Sequence, residues 1–229
     1  MPPVWRLRIR SCPVNLLPML LDIHTHHLSE DPSNAVLNCD IKNQPIPNNA
    51  FYISVSIHPW QLTYDNSQLQ LEWLLTTLTD KRVIAIGEVG LDKLCTTPFD
   101  LQNNIFCNII DIASQYNLPL IIHAVKTTNE LIMLKKQIQP KNAWIIHGFR
   151  GKKELAKSLI EQGFYLSFGE RYNPQSLQST PVDRLLFETD ESTININYLY
   201  EQAAILRGVT INQLKRTTQE TMNKIFFNC

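Results

Sequence analysis

The sequence predicts an α/β protein of TIM type, a (β/α) barrel with reduced helical cover after its first two strands. Apolar, β-branched runs of roughly four to eight residues alternate with longer segments of helical period, the pattern of βα units around a parallel sheet. Several of those runs (LLDIHTHH, VIAIGEVGLD, LIIHAV, WIIHGF and LLFETD) finish on residues able to bind a metal. Polar groups at the far ends of buried strands converge at one mouth of such a barrel. A length of 229 residues suits a single barrel, since these folds often run to about 200 to 250 residues without splitting.

Residues 1–18 read as an extension outside the core, and residues 19–229 as the barrel. The start has a basic stretch followed by an apolar one, as a secretory signal would, but the apolar part runs straight into HTHH. Pro13 and Pro18 interrupt it, and Met19 sits directly before the first strand. Strands are expected at Leu20 to His26, Tyr52 to Ile57, Arg82 to Val89, Leu118 to Ala124, Ala143 to Gly148, Phe164 to Gly169 and Arg184 to Asp190, with a weaker one at Ala35 to Cys39. Helices are expected at Gln68 to Thr79, Pro98 to Tyr116, Thr127 to Gln137, Lys152 to Gln162, Asn197 to Gly208 and Thr210 to Phe226. Pro98 suits a first helical turn, Asn117 and Gly163 suit helix stops, and Thr210 suits a cap with Gln213 three residues on. Between His26 and Ile57 the chain is short and rich in Asn and Pro, which leaves no room for the usual helices. Sparse cover near Asn48 to Ile57 would leave apolar surface that a second copy could bury, making a homo-oligomer.

The 21 basic and 21 acidic residues balance, so the chain as a whole exerts no pull on nucleic acid and any such binding needs a local patch. Five scattered cysteines with no CxxC pair argue against a disulfide framework or zinc knuckle and suit a reducing cytoplasm. No apolar stretch approaches the ~20 residues of a membrane span.

The chemistry rests on His24, His26, Glu88, His123, His147 and Asp190. Alternate strand residues share a face, so His24 and His26 can hold one ion together. Imidazole and carboxylate donors suit Zn²⁺, Mn²⁺ and similar ions, and a carboxylate such as Glu88 can bridge two of them. Four histidines and two carboxylates suffice for two divalent ions with positions left open for water. A single buried histidine is more often a hydrogen-bonded core residue. Here LIIHA and WIIHG each set a histidine after the same aliphatic run, where an isolated imidazole would be costly. Glu188, two residues before Asp190, shares its face and could accept an N–H from a ligand imidazole. Lys93, Lys126, Arg150, Lys152, Lys153 and Arg171 follow strand ends and could form a basic rim, although Lys152 and Lys153 equally suit a solvated helix start.

With DIHTHH, SIHPW, GEVGLD, LPLIIH, IIHGFRG and FETD in view, the chain from about Leu20 to its C-terminus resembles the TatD family of metal-dependent deoxyribonucleases, within the amidohydrolase-like barrels. The resemblance implies His24 and His26 on one metal, His123 and His147 on another, Glu88 shared, and Asp190 at the first metal and beside the water. It implies Mg²⁺, Mn²⁺ or Zn²⁺ as cofactor, DNA as substrate, and His58 near the substrate phosphate. Lys93 stands where the family usually has an aromatic, and Val125, followed by Lys126, where an arginine is common. With that implication, Asp190 orients the attacking water and accepts its proton. Amide or ester hydrolysis on the same barrel, for example of aminoacyl-tRNA, uses the same metals, and a non-catalytic metal-binding scaffold is the third reading.

Overall fold

The computed structural model describes residues 19–42 and 45–227. The extension read over residues 1–18 lies outside the described residues. Eight strands form one sheet in chain order: β1 (Asp22–Thr25), β2 (Ala35–Cys39), β3 (Tyr52–Ile57), β4 (Val83–Asp92), β5 (Leu120–Val125), β6 (Trp144–Ile146), β7 (Tyr165–Phe168) and β8 (Leu185–Phe187). Each neighbouring pair is parallel. A bridge between Thr25 and Asp190 joins the two edges and nearly closes the barrel.

Helices α1 (Ser67–Thr77), α2 (Phe99–Tyr116), α3 (Thr128–Ile138), α4 (Lys153–Glu161), α5 (Pro174–Ser179), α6 (Ile196–Arg207) and α7 (Ile211–Met222) cover the outside. Their ends carry the expected signals: Asn117 and Gly163 take positive φ, and Thr210 accepts from the Gln213 N–H. Helix α5 was not anticipated, being short and polar, although Asn173 caps it and Pro174 opens it. After β1 stands a single 3₁₀ turn, Pro32–Asn34, and among the described residues no helix follows β2. The chain supplies the missing cover from its own loop, where Ala50 and Ile46 join the outer core beside Leu37 and Cys39. Strands β2 and β3 are buried throughout. The surface expected to attract a second copy shrinks to Leu28 and Phe51, 41% and 49% exposed.

Period-two alternation sorts the barrel interior into layers. Val36, Tyr52, Ile84, Ile121, Ile145 and Leu186 form an apolar floor. Two residues further along their strands come Asn38, Ser54, His123, His147 and Glu188, so the interior turns from hydrocarbon to polar to titratable towards the strand ends. The last expected helix does not run unbroken to Phe226: the α-helix stops at Met222, and a π-helical turn spans Asn223–Phe227. That wider turn lets consecutive Ile225, Phe226 and Phe227 all pack on the floor, with Phe227 5.4 Å from the Tyr52 ring. Phe226→Ala is expected to destabilise the protein by about 3 kcal/mol in urea melts, since the floor cannot collapse onto the gap. A loss under 1 kcal/mol would mean the turn is not part of the core.

No helix among the described residues is long and apolar enough to cross a membrane. Cys39, Cys95 and Cys107 are free thiols.

Candidate metal centre

Barrel closure and the histidine pair are one structure. The His26 N–H donates to Asp190 O at 3.0 Å and the Asp190 N–H to His24 O at 3.0 Å, so the backbone bonds that join β1 to the end of β8 fix both histidines against the carboxylate. Buried Asp22 locks the same seam, accepting from the Thr189 N–H and hydroxyl and from the His24 N–H. Burial pushes the Asp22 carboxyl up to about 7 against the pull of those donors.

Glu88 sits where the β4 register is irregular against both neighbours. Its backbone is held by side chains: the N–H donates to Asn38 Oδ1 at 2.8 Å, and the carbonyl accepts from the Ser56 hydroxyl at 2.7 Å. Gly90 lets β5 come close, because a Cβ there would lie 2.2 Å from His123 O, at a φ of 145°. The Glu88 carboxylate then divides the cluster. Oε2 faces His24 Nε2 at 3.4 Å and His26 Nε2 at 3.6 Å, while Oε1 faces His123 Nδ1 at 2.6 Å, His147 Nε2 at 2.7 Å and His58 Nε2 at 3.1 Å. Asp190 Oδ1 completes the first half, 3.6 Å from Nε2 of both His24 and His26.

These residues fit a metal ion. His24 is fully buried, yet neither of its ring nitrogens has a hydrogen-bond partner. Separations of 3.4 to 3.6 Å among His24, His26, Glu88 and Asp190 are too long for good hydrogen bonds. They are near the ~3.3 to 3.4 Å between tetrahedral donors ~2.0 to 2.1 Å from a common ion.

The electrostatics are those of mutually charged groups. Burial alone would raise the Glu88 carboxyl, but His147, His123 and His24 outweigh it and hold it well below the usual range. Burial would lower His24, but the facing Asp190 and Glu88 carboxylates bring it up to about 9. His147 rises well above the usual imidazole value, Glu88 and Glu188 overcoming its burial.

Around this core, Glu188 Oε1 lies 3.2 Å from His147 Nδ1 and accepts the Gly148 N–H at 2.5 Å. A His147 that donates from Nδ1 keeps its Nε2 lone pair facing the centre. His58 differs: its Nδ1 accepts the Trp60 N–H at 3.1 Å, so in the neutral ring Nε2 carries the proton and donates to Glu88. That tautomer commits the His58 Nε2–H to Glu88 and leaves no free ring lone pair for an ion, although His58 stands close to Glu88 and His123. Asp92, not anticipated as part of the site, lies with Oδ2 3.1 Å from His123 Nε2 and accepts the Trp60 indole N–H at 2.6 Å.

The centre opens into a cleft of about 580 Å³, lined by His26, His58, Trp60, Lys126, Arg150 and Asp190 among others. Lys93 is not brought there: it forms an ion pair with Glu130 on α3 and lies over the Phe99 ring. Arg171 lines a neighbouring hollow with Arg150 and Glu188, and Lys152 and Lys153 line neither.

A family model described as TatD related DNase matches residues 27–227. The uncharacterized metal-dependent hydrolase YabD of Bacillus subtilis (strain 168) is 30% identical over 197 residues, covering 76% of this chain and 77% of its own. The uncharacterized metal-dependent hydrolase YjjV of Escherichia coli (strain K12) is 28% identical over 156 residues, 64% of this chain and 60% of its own. The crystal structure of YjjV superposes with a TM-score of 0.77 at 19% identity, over 92% of this chain and 99% of that one. A TatD family hydrolase from Entamoeba histolytica gives 0.75 at 15% identity, with the same coverage.

Proposed function

The chain belongs to the TatD-related DNase family of metal-dependent hydrolases, and from that premise we propose that it cleaves phosphodiester bonds in DNA with two divalent ions. The observation that carries this reading is the division of the Glu88 carboxylate, one oxygen towards His24, His26 and Asp190 and the other towards His123 and His147. A single ion would need only one of those halves. His24, His26, Glu88 and Asp190 would hold one ion, and His123, His147 and Glu88 the other. Bound there, Zn²⁺, Mn²⁺ or Mg²⁺ would supply Lewis acidity that activates water and neutralises the phosphate.

The chain's own groups do the rest. The Asp190 side chain is 28% exposed, open to the cleft, and can orient the water and take its proton. His58, whose Nε2–H donates to Glu88, lines the cleft where a phosphate oxygen could share that donor, and Lys126 and Arg150 on the cleft wall hold the flanking backbone. Glu188 fixes the His147 ring. Free thiols at Cys39, Cys95 and Cys107 agree with a cytoplasmic setting.

Metal-loaded protein offered single-stranded DNA, bis-p-nitrophenyl phosphate and aminoacyl-tRNA tests the proposal. Cleavage of the first two supports it; turnover of aminoacyl-tRNA alone would assign ester hydrolysis, and no turnover a binding role. Two cationic phosphate contacts, Lys126 and Arg150, predict a salt slope of about −1.4 on single strands, so kcat/KM for DNA should fall roughly sevenfold between 50 and 200 mM salt. Arg150→Gln should halve the slope in logarithmic plots, and an unchanged slope would remove Arg150 from the substrate path.

Metal binding should also expel protons. With its pKa at about 9, metal-free His24 is protonated at pH 7, and an imidazolium cannot act as a donor. Apparent affinity should therefore rise with pH until about 9. Calorimetry in two buffers of different ionisation enthalpy should show at least one proton released per protein at pH 7; equal heats in both would contradict it.

A further inference from the structure

A further pocket lies at the opposite end of the barrel. Asn117 and Pro119 precede β5, Asn142 and Ala143 precede β6, and Arg184 precedes β8, so this hollow of about 270 Å³ opens at the strand N-termini while the metal donors stand at the C-terminal ends. Lys135, Lys141, Arg184 and Lys224 line it, and no carboxylate among the described residues does. The four come from separate segments: the last turn of α3, the loop before β6, the 3₁₀ turn before β8 and the C-terminal π turn.

A cation at the end of α3 is unremarkable, because a helix C-terminus favours one. Convergence of the other three on it is not explained that way. Lys135 Nζ sits 5.0 Å from the Trp144 ring centre and 4.9 Å from that of Phe164, held by packing, with no counter-ion among the described residues. The Arg184 guanidinium lies over the Tyr165 ring, 4.7 Å from its centre, with exposed Asp183 3.9 Å from its Nε. Burial, and to a lesser degree the nearby Arg184, pushes the Lys135 amine down to about 8. Asn142, also in the wall, keeps a buried Oδ1 without a donor.

We propose that this pocket binds a small phosphate-bearing anion, independently of the catalytic cleft. The anion would relieve the repulsion between Lys135 and Arg184 and accept from the forked guanidinium. A hydroxyl on phosphorus or on the ligand would satisfy Asn142.

Lys135 itself reports occupancy. Metal-loaded protein is treated briefly with acetic anhydride across a series of inorganic phosphate concentrations, and acetylation of each lysine is read by mass spectrometry. Saturating phosphate is expected to slow acetylation of Lys135 about tenfold, the effect of a rise of one unit in its pKa, and to leave exposed Lys157 within twofold. Arg184→Gln and Lys224→Gln should weaken the protection severalfold without altering hydrolysis of bis-p-nitrophenyl phosphate, and Arg184→Lys should retain most of it. Phosphate occupying the metals would not protect Lys135. Labelling that ignores phosphate, protection undiminished in both Gln variants, or protection given by an oligonucleotide and not by phosphate would each overturn the proposal.

Discussion

Glu88→Gln is expected to abolish turnover, lowering kcat/KM by about a thousandfold or more, and to reduce the metal bound per protein. The amide keeps the shape but can offer only one oxygen, whereas the carboxylate presents Oε2 to His24 and His26 and Oε1 to His123 and His147. The same change should show in the metal-free protein. Breaking a buried ion pair by removing one partner costs about 3 to 5 kcal/mol, because the remaining charges stay buried. In the parent, the folded pKa of His24 lies at about 9, above the ordinary 6.5. Its contribution to stability is therefore full below pH 6.5 and is lost as pH rises through about 9. Glu88 is depressed, so its contribution is full above the ordinary carboxyl range and is lost only in acid. Metal-free parent protein should thus melt at falling temperature between pH 6.5 and 9, and Glu88→Gln should melt lower at pH 6.5 and flatten that slope. A variant that binds as much metal as the parent would show that Glu88 is not shared.

The features legible in the sequence were those that depend on local pattern. Runs such as LIIHAV and WIIHGF are too apolar to face water, and a polar group at the far end of each has to meet others like it at the barrel mouth. The thin cover after β1 and β2 was legible because the 24 residues of Asn- and Pro-rich chain between Thr25 and Ala50 cannot supply two helices and a strand.

The groups that position Glu88 were less so. Asn38 in AVLNC and Ser56 in YISVSI look like solvent-facing positions of a half-buried strand, and only closure of the barrel turns that face inward. Asp92 and Lys93 were nevertheless within reach. The parity that unites His24 with His26 also aligns Asp92 with Glu88, which sends the aspartate towards His123 and the lysine outward to Glu130. Treating Lys93 as a cleft residue came from its place after a strand end, which says nothing of the direction a side chain takes. The π turn at Asn223–Phe227 was hidden for another reason: three adjacent apolar residues fit no α-helical face, and what they cover is set by the floor of the barrel.

Asp190→Asn should separate catalysis from folding more cleanly than any other change. Asp190 has a φ of 57°, where asparagine is among the few residues at ease, while alanine would be strained by about 1 to 2 kcal/mol. Its backbone bonds to His24 and His26, which close the barrel, do not involve the side chain. The metal-free variant should therefore keep its fold and melt close to the parent above pH 9, where His24 is neutral, and lower than the parent at neutral pH, where His24 loses the carboxylate that most raises it. Its chemistry should not survive. His24 holds the Asp190 carboxyl below its usual range despite burial, so at neutral pH it is an anion facing the cleft, able to bind a cation and receive a proton. The amide has neither property. A drop in kcat of about 10² to 10⁴ with little change in KM is expected, since the lost interaction belongs to the transition state. Had the residue only capped the turn that follows β8, asparagine would replace it without loss, and full activity in the variant would decide for that role.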